Sequence, residues 1–217
     1  MQQGLAALGA LAIAFAGLAI ANVLVDRGVD SYVARRVPAS LGGIAYLVAV
    51  LNLAPWTAVA MSAAVTLAFG AYRLRTPGRH LRGVAGSSPS QRWVELTYLS
   101  AATASLLVGW AWLGDRLLAF VPIAFMAWGD SAAALTYEWR TFRRRQASLW
   151  PLLAMLMVCL VIAAAYTPYW IGALGAVSAT LAGRFPPRVL GTVDDNWWIV
   201  AAALGTMGTA GAVVGAI

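Results

Sequence analysis

Charged residues are scarce in this sequence of 217 residues, where Asp, Glu, Lys and Arg together make up only 11%. A soluble globular chain carries roughly 25% charged residues and could not cover its surface with so few. Hydrophobic residues reach 61%, and the mean hydropathy is +0.76. This composition excludes a disordered chain, a disulfide-rich secreted domain and a soluble nucleic-acid-binding domain. The solvent that fits such a chain is the lipid bilayer.

Lysine is absent, and cysteine and histidine occur once each, as Cys159 and His80. The absence of lysine excludes a Schiff-base or other catalytic lysine. A single cysteine cannot form an intramolecular disulfide or a cysteine-based metal cluster. With one histidine, a histidine-based metal site and Ser-His-Asp chemistry are both disfavoured. Any chemistry in this chain therefore depends on carboxylates, amides, hydroxyls and arginines.

Apolar runs of near membrane-spanning length recur along the whole chain. A spanning helix needs about 20 apolar residues. The pattern predicts an all-α fold, a polytopic membrane helix bundle with about eight transmembrane helices, forming a single integral membrane domain over residues 1–217. The predicted spans are residues 4–25, 41–54, 56–71, 94–113, 117–137, 149–166, 169–183 and 197–217.

The arginines are distributed very unevenly between the predicted loops. If the loop 26–40 is cytoplasmic, the cytoplasmic loops hold three, five, four and two arginines, and the opposite side holds only Arg116. Cytoplasmic loops of membrane proteins carry an excess of basic residues. We therefore expect both termini outside and a cytoplasmic active face, at which nearly all carboxylates also lie.

Asp130 lies inside a predicted span, about two helical turns from its cytoplasmic end. An ionisable residue inside a span is costly and is a candidate functional residue by default. The preceding Gly129 lets another backbone or a phosphate approach closely. The alternative is a structural aspartate that pairs with an arginine or caps a broken helix.

Two aspartates and an asparagine, Asp194, Asp195 and Asn196, precede the last predicted span. Asp and Asn are preferred helix N-caps, and acids there suit the helix dipole, so capping alone explains this triplet equally well. The functional interpretation is a site for Mg²⁺, which binds one or two carboxylates together with substrate phosphates. We expect Asp130 and one of these carboxylates to lie within about 10 Å of each other, close enough for a metal and a phosphate to bridge.

Two further patterns have both a functional and a structural interpretation. Arg143, Arg144 and Arg145 either clamp phosphate, for which arginine is the natural bidentate partner, or set topology and contact anionic lipid. A glycine series in the last span is typical of close helix packing. Its members are Gly205, Gly208, Gly211 and Gly215.

From Arg35 to the end, the chain resembles the CTP-dependent polyprenol kinases, the dolichol kinase and phytol kinase group, which are distantly similar to phosphatidate cytidylyltransferases. The resemblance depends on the order and spacing of short motifs. These are Arg35-Arg36 with Gly42-Gly43, Glu95-Leu96-Thr97-Tyr98, Gly129-Asp130-Ser131-Ala132-Ala133, Ser148-Leu149 with Leu153-Ala154-Met155, and Asp194-Asp195-Asn196.

The resemblance implies an enzyme that transfers a phosphoryl group from CTP to a long-chain isoprenoid alcohol of the dolichol, phytol or geranylgeraniol type. Its partners would be this lipid, the nucleotide and the bilayer, with no nucleic acid. It implies catalytic roles for Asp130 and Asp195, and Mg²⁺ held by these two and Asp194. The residues implied in binding substrate or nucleotide are Gly129, Asn196, Arg36, Arg143, Arg144, Arg145 and Ser148.

Two alternatives stay open at this point. The first is a cytidylyltransferase that makes a CDP-lipid. The second is a catalytically inactive lipid-binding or transport protein of the same fold, because the family's motif Lys and Glu fall on Ala147 and Trp150. Transport is disfavoured by the position of Asp130 toward one end of its span, since transporters bind their substrates near the membrane midplane.

Overall fold

The computed structural model describes residues 2–75, 93–141, 149–185 and 195–215, and within these ranges the regular secondary structure is helical. Apolar helices suit a bilayer because each helix satisfies its own backbone hydrogen bonds. The α-helices are α1 (Gln2–Asp26), α2 (Ser31–Ala34), α3 (Arg36–Asn52), α4 (Pro55–Arg75), α5 (Val94–Ser105), α6 (Arg116–Ala124), α7 (Asp130–Thr141), α8 (Trp150–Ala163), α9 (Tyr169–Arg184) and α10 (Asp195–Val213).

The prediction of an all-α fold is confirmed for the residues that the structure describes. Within the described ranges, five helical stretches are long and apolar enough to cross a membrane, and α8 is a shorter apolar helix. The predicted total of about eight spans stays a prediction. The five stretches are Gln2–Asp26, Ser31–Asn52, Pro55–Arg75, Val94–Trp112 and Arg116–Tyr137.

Local sequence signals set several helix boundaries. Pro55 is the first residue of α4. At this position a backbone N–H has no acceptor within the helix, so the proline, which lacks an N–H, removes no hydrogen bond. Asp115 caps α6, and its Oδ1 accepts hydrogen bonds from the backbone N–H groups of Leu117 at 2.8 Å and Leu118 at 3.0 Å. The hydroxyl of Tyr166 donates to Oδ2 of Asp115 at 3.0 Å, so this cap also connects α6 to the segment before α9.

Two π-helical segments, which the sequence analysis did not predict, interrupt the long helices. Leu106–Trp112 continues α5, and Phe125–Gly129 connects α6 to α7. Pro122 lies inside α6 and has no backbone N–H to donate, which disturbs the regular hydrogen-bond ladder just before the second segment. A π-helical segment holds more residues per turn than an α-helix and often occurs at functional sites. The second one ends directly before Asp130 and therefore sets the direction in which that side chain points.

The stretch Arg116–Tyr137 is the centre of the bundle. Every residue from Leu118 to Ala127 is buried, and α3, α5, α8, α9 and α10 pack around this stretch. The N-terminal α1 packs mainly against α3, on the outside of this arrangement.

Two glycines of the series predicted to pack the last helix, Gly205 and Gly208, make no close helix contact. A Cβ added at Gly205 or Gly208 would meet no atom within 4 Å, so these two glycines do not bring α10 against a neighbour. A Cβ at Gly43 would instead lie 2.8 Å from Cβ of Ala127, and one at Gly175 would lie 2.5 Å from the side chain of Met207. Close approach therefore occurs at the central stretch and at the contact between α9 and α10.

Candidate functional site

Charged residues from five helices gather on one side of the bundle. Arg36 begins α3, Arg73 lies in the last turn of α4, Glu95 lies in the first turn of α5, and Asp130 and Asp195 begin α7 and α10. A charged side chain reaches the membrane boundary at low cost only near the end of a span, and Asp130 is the exception, because α7 continues the stretch Arg116–Tyr137 without a break. The fold thus brings together residues that are up to 159 positions apart in the sequence.

These helix ends form the polar part of an amphipathic cavity of about 220 Å³. Its polar lining consists mainly of Arg35, Arg36, Glu95, Asp130, Asp195 and Asn196. Residues from the interiors of α1 and α4, such as Leu11, Phe15, Met61 and Val65, supply apolar walls. A cavity of this kind can hold a molecule that has a polar head and a hydrocarbon tail.

Arg36 and Asp130 form an ion pair inside the cavity. The Arg36 Nη1 donates to Oδ2 of Asp130 at 2.5 Å, and their side chains are 12% and 20% exposed. Close packing of α3 at Gly43 against Ala127 and Trp128 brings the two helices within this reach. The pairing with arginine that the sequence analysis gave as the structural alternative for Asp130 is therefore present.

Arg36 is also held by an aromatic ring. Its Cζ lies 4.8 Å from the ring centroid of Tyr32, and Cζ of the neighbouring Arg35 lies 4.4 Å from the same centroid. A guanidinium group over an aromatic face is attracted by the negative face of the ring. Tyr32 in α2 thus helps to keep two cations at the polar end of the cavity.

Asp195 and Asn196 reach the same cavity from the start of α10. Asp195 interacts electrostatically with both Arg36 and Asp130. The amide nitrogen of Asn196 lies 3.5 Å from the carbonyl oxygen of Val94 and 3.4 Å from Oγ1 of Thr97, so α10 begins against the first turn of α5. The helix that starts at Asp195 also packs on the central stretch that leads to Asp130.

A second ion pair, between Glu95 and Arg73, was missed by the sequence analysis. Arg73 Nη2 lies 3.4 Å from Oε1 of Glu95. The side chain of Arg73 is only 7% exposed, and that of Glu95 only 3%. The signal was available, because Glu95 is an acid inside the predicted span 94–113. The reasoning that singled out Asp130 applies to Glu95 less strongly, because Glu95 is the second residue of its predicted span.

The remaining predicted site residues fall into two groups. Gly129 is buried but does not line the cavity, and a Cβ there would lie 2.5 Å from Sγ of Cys159. The close approach that Gly129 permits is thus to helix α8 rather than to a ligand. The other group lies outside the described residues and comprises Arg143, Arg144, Arg145, Ser148 and Asp194.

The described carboxylates fit a magnesium ion only with help from a substrate. Among the residues that the structure describes, no three His, Cys, Asp or Glu side chains cluster so that they could hold a metal. Asp130 and Asp195 still supply the hard oxygen ligands that Mg²⁺ prefers, and this ion commonly takes one or two carboxylates plus substrate phosphates. Because Oδ2 of Asp130 is paired with Arg36, its other oxygen is the one left for an ion.

Comparison of the chain with protein-family models, with curated proteins and with solved structures finds no match. The resemblance to polyprenol kinases therefore depends on the motif residues alone, and stays a prediction. What the structure adds is that parts of four of those motifs, at Arg36, Glu95, Asp130 and Asp195, line one cavity.

Proposed function

We propose that this protein is a membrane-embedded transferase that phosphorylates a long-chain isoprenoid alcohol, with CTP as the donor and Mg²⁺ as the cofactor. The observation that supports this best is the cavity, whose acidic and basic side chains continue into apolar walls. A phosphoryl transfer to a lipid alcohol needs both environments side by side. The hydroxyl must meet the charged donor while the hydrocarbon tail stays out of water.

The polar residues have the chemical types that phosphoryl transfer requires. Catalysis of this reaction is mostly positioning and charge neutralisation, because the protein does little covalent chemistry. Asp130 and Asp195 would hold Mg²⁺, which neutralises charge on the phosphates when it is bound. Asn196 would orient the phosphates, and Arg36 would pair with phosphate oxygens while it stays in contact with Asp130. Clamping by Arg143, Arg144 and Arg145 remains a prediction about residues outside the described ranges.

The apolar walls suit a prenyl chain. A prenyl chain that enters from the bilayer is already out of water, so these walls favour it by van der Waals packing rather than by removing apolar surface from water. Leu11 and Phe15 of α1 form one wall, and Met61 and Val65 of α4 form another. A lipid in the bilayer is already in contact with these outer helices and has a short route into the cavity.

The alternatives give different products from the same nucleotide. A kinase transfers the γ-phosphate of CTP to a lipid alcohol such as geranylgeraniol. A cytidylyltransferase transfers the CMP unit, which contains the α-phosphate, to a lipid phosphate such as phosphatidic acid. A lipid-binding or transport protein transfers neither.

The direct experiment uses the full chain in lipid nanodiscs with Mg²⁺ and CTP labelled at either phosphate. We expect label from the γ-position in the geranylgeraniol product and no label from the α-position in phosphatidic acid products. Transfer of the α-label would show the cytidylyltransferase instead. The enzyme proposal fails if the folded protein binds the lipids and transfers neither label.

Asp130→Asn tests the site within this reaction. We expect kcat/KM for transfer to fall by about a hundredfold or more, the size of effect seen when a preorganised charge is removed from a transition-state site. The matched control is Asp115→Asn, which removes the same charge roughly 20 Å away along the same helical stretch and leaves a good helix cap. This control should keep near wild-type activity.

A double variant separates catalysis from structure. Asp130→Asn leaves Arg36 without its partner and can destabilise the protein, because breaking a buried pair costs more than removing it. Arg36→Gln together with Asp130→Asn removes both charges. If the pair is only structural, the double variant regains stability and activity together. On our proposal it regains stability, measured by thermal unfolding in detergent, and stays inactive.

A further inference from the structure

The carboxylate of Glu95 lines the cavity without an assigned role. Its side chain is only 3% exposed, and neither oxygen accepts a hydrogen bond from any residue in the described parts of the chain. The Arg73 guanidinium, 3.4 Å from Oε1, supplies charge without the geometry of a hydrogen bond. An ionised carboxylate has no proton to donate and accepts through both oxygens. The cavity thus presents a buried acceptor to whatever occupies it.

Burial disfavours the charged form of this carboxylate, and two arginines oppose that effect. They are Arg73 from α4, whose Nη2 lies 3.4 Å from Oε1, and Arg35 at the polar end of the cavity. A buried carboxylate needs such partners, because desolvation of an unpaired charge is costly. Burying carboxylate oxygens that accept no hydrogen bond still costs free energy. A ligand that carries a hydrogen-bond donor removes this cost.

Glu95 lies where the polar end of the cavity meets its apolar part. Asn196, next to Asp195, contacts Val94 and Thr97, which flank Glu95 within the first turn of α5. On the cavity side, Leu99 lies one turn farther along the same helix. A lipid whose tail lies among the apolar side chains would therefore bring its head group to Glu95 before it reaches the phosphate site.

We propose that Glu95 recognises the hydroxyl group of the lipid by accepting its hydrogen bond, and thereby makes the site select free alcohols over their ethers. The inference rests on the proposed function for the class of lipid and adds the residue that reads the head group. A phosphate monoester in the same place would bring negative charge against the carboxylate. The same contact therefore also disfavours retention of the phosphorylated product.

The test compares an alcohol with an analogue that cannot donate. Radiolabelled geranylgeraniol bound to the full chain in nanodiscs, without nucleotide, is displaced by unlabelled geranylgeraniol or by its methyl ether. Hydrogen bonds to charged groups contribute about 1.5–3 kcal/mol, so we expect the wild type to prefer the alcohol by about tenfold or more. Equal displacement by the ether would overturn the proposal.

Variants then assign the preference to Glu95. Glu95→Gln keeps the shape and one weaker acceptor, so the preference should shrink. Glu95→Met combined with Arg73→Met removes the acceptor and both buried charges, a replacement that buried ion pairs often tolerate. In this double variant the alcohol and the ether should bind alike. A double variant that still folds, binds and prefers the alcohol by the wild-type factor would contradict the assignment.

Failure of this inference and failure of the proposed function are distinguishable. A wild type that phosphorylates geranylgeraniol but binds its ether equally well supports the transferase and overturns the role of Glu95. A wild type that prefers the alcohol, loses this preference in the double variant and transfers no label supports hydroxyl recognition in a protein that is not a kinase.

Discussion

Gly129 illustrates how one absent side chain positions the candidate site. It ends the π-helical segment before Asp130 and is buried against α8, with Sγ of Cys159 at 2.5 Å and Cγ of Met155 at 3.5 Å from the position of an added Cβ. A glycine here lets the two helices approach more closely than any other residue would. The packing fixes where the next residue, Asp130, begins its helix.

We expect Gly129→Ala to destabilise the protein by about 1–3 kcal/mol, the usual cost of overpacking a tight contact. Unfolding in mixed detergent micelles measures this. Gly205→Ala is the matched control, because its new methyl group meets no atom within 4 Å, and its effect should be neutral or slightly stabilising. Removing the obstructing sulfur by Cys159→Ala should make Gly129→Ala less costly in the double variant than alone. Equal stability of the Gly129 and Gly205 variants would contradict this packing.

Two ion pairs lie at the cavity, and they differ in burial and in hydrogen bonding. Arg36 and Asp130 are hydrogen-bonded and partly open to the cavity, whereas Arg73 and Glu95 are almost fully buried, and the Glu95 oxygens accept no hydrogen bond within the described residues. The first arrangement suits exchange with a charged ligand. The second suits a fixed acceptor, which is the role that we propose for Glu95.

At the level of elements, hydroxyl groups connect three helices beside the cavity. The Ser62 Oγ in α4 lies 2.9 Å from Oη of Tyr46 in α3 and 2.7 Å from Oγ1 of Thr103 in α5. Thr66, one turn along α4, also reaches Thr103 at 3.3 Å. Hydrogen bonds between helices are one of the main forces that associate helices within a bilayer. This cluster holds together the walls of the cavity.

A double-mutant cycle measures that connection. We expect Tyr46→Phe and Ser62→Ala each to destabilise the protein and to show a coupling energy of about 0.6–1.7 kcal/mol, the range found between membrane helices. Thr136→Ala serves as the control, since its hydroxyl bonds only to the carbonyl of Ala132 in the same helix among the contacts described. Strictly additive effects of the two substitutions would show that the hydroxyls of Tyr46 and Ser62 do not stabilise the bundle jointly.

For the molecule as a whole, charge is concentrated on one side. The helix ends that carry Arg36, Arg73, Glu95, Asp130 and Asp195 converge there, while Asp115 caps α6 at the other end of the central stretch. The arginine-rich loops of the sequence flank the same helix ends. The positive-inside rule predicts that this side faces the cytoplasm.

The predicted orientation can be tested by thiol labelling in intact cells. In a Cys159→Ala background, a cysteine at Gln3 and a cysteine added after Ile217 should react with a membrane-impermeant reagent, because both termini are predicted to be outside. Both positions lie outside the predicted spans 4–25 and 197–217, so their reactivity depends on sidedness rather than on burial in lipid. A cysteine at Ser90, in an arginine-rich loop, should react only after permeabilisation. A C-terminal cysteine that needs permeabilisation would contradict the orientation.

The sequence by itself determined the properties that depend on local composition. Helix positions follow from hydropathy and from residues such as Pro55 and Asp115, because each helix satisfies its own backbone whatever its neighbours are. Asp130 was identified as a candidate because a carboxylate inside an apolar span is costly wherever the span packs. Asp195 was identified because aspartates before the last span can supply oxygen ligands for Mg²⁺. Alternation of spans across the membrane was enough to expect them on the same side.

Only the tertiary structure decided which of these side chains meet. The partner of Asp130 is Arg36, 94 positions away, and its reach depends on the contact of Gly43 with the central stretch. The π-helical segments change the phase of the helices, so no regular helical period predicts the direction in which Asp130 or the residues beyond Ser105 point. Glu95 is a cavity residue because α4 and α10 pack on either side of it. The direction in which a side chain points, and the residues around it, depend on many weak packing contacts. Those contacts are set by the whole bundle rather than by any one segment.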